Sequence, residues 1–252
     1  MKLNVLGIVS LAALTALPAV SYADLAYNVG VVSDYRYHGI SQTRLKPAVQ
    51  GGVDFSAGGF YLGAWGSSIK WVQDAYGDAQ VELDLYGGYK GEIAKDLAYD
   101  VGLLQYIYPG ASTAQWNAAY KNPNTLEAYA AITYGPATAK LSYGLSNLFG
   151  NHDFGTGKGS RGSYYLDLSA SFDVGGGVTL VPHLGYQKVV HIANASYTDY
   201  ALTLSKDFGG LVPSLAIVGT DANKSFYVPG GAANSSKFLG KAGVVLGVKY
   251  NF

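Results

Sequence analysis

The sequence has 252 residues, a formal net charge of zero, only 13% charged residues and no Cys. The charge balance argues against a nucleic-acid-binding protein, which needs a basic face, and the absence of Cys excludes disulfides, thiol catalysis and Cys-ligated metals. A charged fraction at about half the soluble norm of ~25%, beside 22 Tyr and 34 Gly, points away from an ordinary soluble domain.

The first predicted element is a signal peptide. Lys2 is followed by the apolar run LNVLGIVSLAALTALPAV, and Ser21 and Ala23 supply the small residues of a cleavage site after Ala23. Pro18 and the polar Asn4, Ser10 and Thr15 argue against an uncleaved anchor. The predicted organisation is a signal peptide over 1–23 and one domain over 24–252.

Beyond residue 23 no apolar run approaches the ~20 residues of a membrane helix. Alternation of apolar and polar residues predicts twelve strands instead, at 25–36, 47–55, 60–67, 80–89, 97–108, 124–134, 139–146, 163–172, 178–187, 196–206, 211–220 and 237–252. The links SAGG, KGEIAKD, GPAT, DVGGG and DFGG have tight-turn chemistry. Links such as HGISQTRLK, PGASTAQWNAAYKNP and NLFGNHDFGTGKGSRG are longer. Short turns alternating with long loops over an even strand count predict an all-β fold: a transmembrane antiparallel up-and-down β-barrel with short periplasmic turns and longer extracellular loops.

Charge sorting supports this reading. One face of the strands, including Leu25 to Tyr35, Val81 to Tyr89 and Leu126 to Tyr134 at alternate positions, carries no charge. Lysine or arginine on the lipid face of a barrel costs about 2–4 kcal/mol at the bilayer midplane, so lipid contact imposes such sorting. The segment FYLGAWGS is apolar on both faces and its orientation stays open. Tyr27, Phe60, Tyr89, Tyr134, Phe172, Tyr250 and Phe252 are predicted to form an interfacial girdle, which accounts for the tyrosine content. Tyr250 and the terminal Phe252 resemble the C-terminal signal read by the barrel-assembly machinery.

The opposite face supplies the candidate pore-lining residues: Asp34, Arg36, Glu82, Asp84, Asp100, Glu127, Lys140, Asp167, His183, Asp199 and Lys241, with Asp54, Lys237 and Lys249 on the same face. A turn centred on Gly175 would pair Asp167 with His183, and a loop centred near His191 would set Asp199 on the other side of that ring. A carboxylate beside a histidine is an acid–base arrangement, but a polar lumen needs such pairs simply to satisfy buried groups. No enzymatic activity is expected. GNHDFGTGKGSRG lacks the Gly-Lys-Ser/Thr end of a phosphate-binding loop, NAS at 194–196 reads as a chance match to a glycosylation acceptor, and four histidines without helical HExxH spacing give no metal site. No cofactor is implied.

YNVGVVSDYRYHGIS, VELDLYGGYKGEI, LAYDVGLLQYIYPG, LEAYAAITYG, YYLDLSASF and YTDYALTLSKDF resemble segments of the TorF-type porin family of proteobacterial outer-membrane proteins, across essentially the whole mature chain. That resemblance implies a barrel and a porin role, with no catalytic residue or assigned substrate. Three functions stay open: a narrow, weakly cation-selective channel for ions or small polar solutes; a closed structural or receptor-type barrel; and an outer-membrane hydrolase using Asp167 and His183. Outer-membrane lipid, lipopolysaccharide and the barrel-assembly machinery are the expected partners, in the bacterial outer membrane.

Overall fold

A computed structural model describes residues 23–228 and 237–252. The predicted signal peptide, residues 1–23 with cleavage after Ala23, lies outside the described residues except for Ala23 itself. In chain order the strands are β1 (Asp24–Val32), β2 (Arg36–Tyr37), β3 (Ile40–Ser41), β4 (Ala48–Ala57), β5 (Phe60–Ser68), β6 (Val81–Ala94), β7 (Leu97–Ile107) and β8 (Thr125–Tyr134). They continue as β9 (Ala137–Gly144), β10 (Tyr164–Ala170), β11 (Phe172–Asp173), β12 (Val178–Lys188), β13 (Tyr197–Lys206), β14 (Leu211–Thr220) and β15 (Gly243–Asn251). Short helices α1 (Trp71–Asp74), α2 (Ala114–Ala119) and α3 (Lys224–Tyr227) lie in three of the long links.

Thirteen of these strands form one antiparallel sheet, and because β10 and β11 together pair with β12 as one interrupted strand the wall has twelve. The sheet closes where β1 meets β15, with Val29 opposite Tyr250, and where β10 meets β12. Closure satisfies the backbone groups that an open edge would expose, the condition for a sheet to cross a membrane. At the seam Tyr27 and Phe252 exchange backbone hydrogen bonds of 2.9 and 3.0 Å, and their rings stack at 5.8 Å.

Alternation sorts the wall as expected. Val49 is 61% exposed and Ile132 55%, whereas Glu82 and Asp199 on the other face are 1% and 2% exposed. The orientation of β5 is now defined: Phe60 and Leu62 point outward, while Trp65 meets Tyr35 edge-on inside. The seven aromatics of the predicted girdle are all outward-exposed; within it Phe60 meets Tyr89 edge-on and Tyr250 stacks on Phe252.

Several boundaries differ from expectation. β6 runs on to Ala94, so its turn is the pair Lys95–Asp96, with Asp96 at φ +61°. β1 ends at Val32 because Ser33 ties back to Leu246 by two hydrogen bonds, after which the chain leaves the wall. β15 starts at Gly243, leaving Lys237 and Lys241 in the preceding link rather than on the wall. The girdle also explains only part of the tyrosine content. Tyr35, Tyr37, Tyr106, Tyr108, Tyr165 and Tyr197 are buried inside, and Tyr61, Tyr86 and Tyr129 face the lumen.

Inward glycines make room for these rings. A Cβ on Gly63 would overlap Tyr86, one on Gly88 would lie 2.5 Å from the Tyr61 hydroxyl, and one on Gly102 the same distance from that of Tyr129. Each ring thus lies flat across a neighbouring strand.

If the Tyr27–Phe252 stack fastens the seam, Phe252→Ala lowers barrel stability by about 1 kcal/mol. Urea unfolding in lipid vesicles checks this; an unchanged midpoint contradicts it.

Candidate functional site in the barrel lumen

The link from Ser33 to Pro47 turns into the barrel as the β2–β3 hairpin. Its two turn residues, His38 and Gly39, have φ of +46° and +77°, the geometry of a tight hairpin turn. Arg36 anchors it: Nε donates to Asp34 Oδ2 at 2.5 Å, and Nη1 donates to the carbonyls of Gly39 (2.8 Å) and Lys241 (2.9 Å). Asp34 also accepts from Ser41 Oγ and Thr43 Oγ1.

The hairpin reaches from wall to wall. Tyr35 donates to Glu82 Oε1 on β6 at 2.6 Å, and Tyr37 meets Tyr106 on β7 edge-on. On the far side His38 stacks on Tyr165 of β10 and bonds Gln187 of β12 at 3.0 Å. A Cβ on Gly39 would overlap Thr220 Cγ2 and lie 2.9 Å from Asp199 Cβ, so the tip touches the wall itself. Above it, Trp71, Val72, Tyr108, Trp116 and Phe149 pack into one apolar cluster at the long-link end.

A second group forms on the wall. Asp100, Ala131, Lys140, Asp167, Gly185, Asp199 and Thr220 are successive cross-strand partners. The predicted pairing of Asp167 with His183 is therefore off by two residues, as is that of His183 with Asp199. The turns centre on Gly176 and Ile192, so Gly185 stands opposite both aspartates and His183 faces Ser169 and Ala201.

The histidine still sits between the two acids, diagonally. Its Nε2 is 2.9 Å from Asp199 Oδ1, and its Nδ1 is 3.2 Å from Asp167 Oδ2 without hydrogen-bond alignment. Tyr165 completes the group, donating to Asp199 and lying 3.1 Å from His183 Nε2. Gly185 is what admits it, because a Cβ there would overlap the Tyr165 hydroxyl. Both ring nitrogens of His183 thus face carboxylates, with Nε2 shared between Asp199 and the Tyr165 hydroxyl.

Elsewhere the lumen repeats one pattern, a tyrosine hydroxyl donated to an inward carboxylate. Tyr86 donates to Asp54, Tyr61 to Asp100, and both Tyr35 and Tyr108 to Glu82. Lys140 lies 4.2 Å over the Tyr129 ring. Glu127 is buried near Lys140, and Lys249 is half-buried on the same inner face. Of the expected inner-face residues, Lys237 and Lys241 stand apart in the link before β15, Lys241 exposed and contributing its carbonyl. Tyr250 and Phe252 face outward at the tight-turn end. Among the described residues no group of three or more acids and histidines has metal-binding geometry.

The architecture is that of a porin-like membrane β-barrel. Over residues 16–252 the chain matches the family described as "Bacterial protein of unknown function (Gcw_chp)", and it belongs to that family. No curated protein matches it in sequence. Among solved structures it is similar to the KdgM porin, at 11% identity and a TM-score of 0.54, covering 92% of this chain and 99% of that one. It is similar also to the NanC porin, at 13% identity and a TM-score of 0.54, covering 90% and 99%. These likenesses are of fold.

Gly39→Ala should unseat the hairpin tip, since both the added methyl and the positive φ oppose it. Amide exchange across residues 34–43 is then faster than in wild type, with the strands still protected; equal protection contradicts the seating.

Proposed function

We propose that the protein is a narrow porin-like channel of the bacterial outer membrane, passing ions or small polar solutes with a weak preference for cations, and constricted by the β2–β3 hairpin. The observation that carries this reading is the lumenal charge set. Glu82, Asp84, Asp100, Glu127, Asp167 and Asp199 are buried on the inner face, against Lys140, Lys249 and His183. Arg36 is committed to Asp34 and to backbone carbonyls. Carboxylates around a narrow bore attract cations and raise the barrier to anions.

A structure of the similar KdgM porin is described as a complex with disordered oligogalacturonate. A solute held by a barrel of this fold supports the channel reading. An acid-rich lumen argues against a polyanionic solute for this chain. The TorF-type porin assignment belongs to the same proposal, as do a signal peptide ending at Ala23, outer-membrane lipid and lipopolysaccharide as surroundings, and insertion by the barrel-assembly machinery. In this orientation the tight turns are periplasmic and the long links extracellular.

A second reading is a barrel closed by the same hairpin. It rests on the wall-to-wall contacts of residues 35–39 and the apolar cluster above them. Planar-bilayer recordings separate the two. The channel reading expects steady conductance and a reversal potential favouring potassium in a KCl gradient, fading at high salt as charges are screened. Glu82→Gln with Asp84→Asn should reduce that preference. Silent wild type, with conductance appearing in Arg36→Ala, identifies the closed barrel; anion preference in wild type rejects the role given to the acids.

A further inference from the structure

Two inward carboxylates accept no tyrosine hydroxyl, Asp167, which faces His183 instead, and Asp84. Asp84 is 6% exposed, yet its Oδ1 meets no hydrogen-bond partner, and among the described residues no tyrosine hydroxyl or basic group is bonded to its side chain. Asp54, Glu82, Asp100 and Asp199, on the same inner face, each accept from a tyrosine. A buried carboxylate left without a donor costs several kcal/mol, so the position is set for an occupant that carries its own.

Charge and surroundings define that occupant. Asp84 lies within electrostatic reach of Glu82 and Glu127, which disfavours an anion. Glu82 already accepts two tyrosine hydroxyls, leaving Asp84 as the primary acceptor. Its cross-strand partners are Trp65 and Tyr106. Trp65 leans over Gly52 on the next strand, where an added Cβ would lie 3.1 Å from the indole Cδ1, and meets Tyr35 edge-on at 5.5 Å. A carboxylate among aromatic rings suits an organic cation, whose charge is favoured by both. The acids here lack the geometry of a metal site, so an inorganic divalent ion is the poorer fit.

We propose that Asp84, supported by Glu82 and Glu127 and flanked by Trp65 and Tyr106, forms a lumenal subsite for an alkylammonium or guanidinium group. This rests on the reading of the lumen as a solute path and names the solute class. The probe is agmatine, which carries both groups, with the dianion adipate as control. Binding to the full folded chain in detergent micelles is measured by calorimetry and tryptophan fluorescence, and block of KCl conductance in planar bilayers.

The expected result is saturable agmatine binding, none for adipate, and at least tenfold weaker binding in Asp84→Asn that retains the heat-modifiable electrophoretic mobility of a folded barrel. Glu127→Gln, expected to weaken binding about threefold, serves as the second variant if Asp84→Asn does not fold. Absence of agmatine binding in wild type overturns the proposal, as does equal binding in the folded variants. Conductance without agmatine block or binding rejects the subsite and leaves the channel standing. Binding that depends on Asp84 in a barrel that does not conduct supports the subsite and rejects the channel.

Discussion

The wall of this molecule is one strand thick, and that single constraint governs the rest. In a closed antiparallel ladder every residue points either outward or inward, with no layer between. Outside, polar groups are penalised, so Val, Leu, Ile and Ala fill the middle of the strands and aromatics their ends. Inside, side chains converge on a narrow bore where charges must be satisfied by one another or by hydroxyls. Apolar surface and charge are thus separated by a single backbone, and a one-residue slip in any strand would exchange them.

Apart from His183 between Asp167 and Asp199, the inner face meets this demand chiefly with tyrosine. A phenol supplies one donor while its ring covers wall surface, and the glycine opposite lets the ring lie flat. Asp54 with Tyr86, Asp100 with Tyr61 and Asp199 with Tyr165 are instances on three different strand pairs. Lysine and arginine could neutralise the acids instead. Here Lys140 is held over a ring and Arg36 is taken up by Asp34 and the hairpin. Part of the glycine and part of the tyrosine content therefore share a cause, a lumen lined by flat phenols.

Strand count, alternation, charge-free outer faces and the aromatic girdle were all legible in the sequence, because each follows from a period of two and from the chemistry of lipid. What was not legible followed from distance along the chain. Asp34 and Arg36 continue the alternation of β1, and a lumenal hairpin alternates as a wall strand does, so periodicity could not separate them. The centre of a glycine-rich turn is ambiguous by one residue, which moved the partner of His183 by two. Tyr165, Gln187, His38 and Gly185 carried no chemical signature of their own. The GlyGlyGly run at 175–177 and the His38–Gly39 pair were the available local signals, and the second, flanked by Arg36 and Ser41, is a hairpin turn in composition as well as in fact.

Strand number alone does not set the bore. Barrels of about eight strands are filled by side chains and those of sixteen or more hold water, and twelve lies between. In such a barrel the aperture is decided by what the chain folds back inside. Residues 33–46 do so here, tied to β6, β7, β10, β12 and the link before β15 at once. Because outward positions answer to lipid and inward ones to solute, barrels of one backbone can share few residues, as the 11% identity to a porin of similar fold illustrates. The lumen's chemistry thus has to be read from its own acids, phenols and hairpin, not from the wall it shares with other barrels.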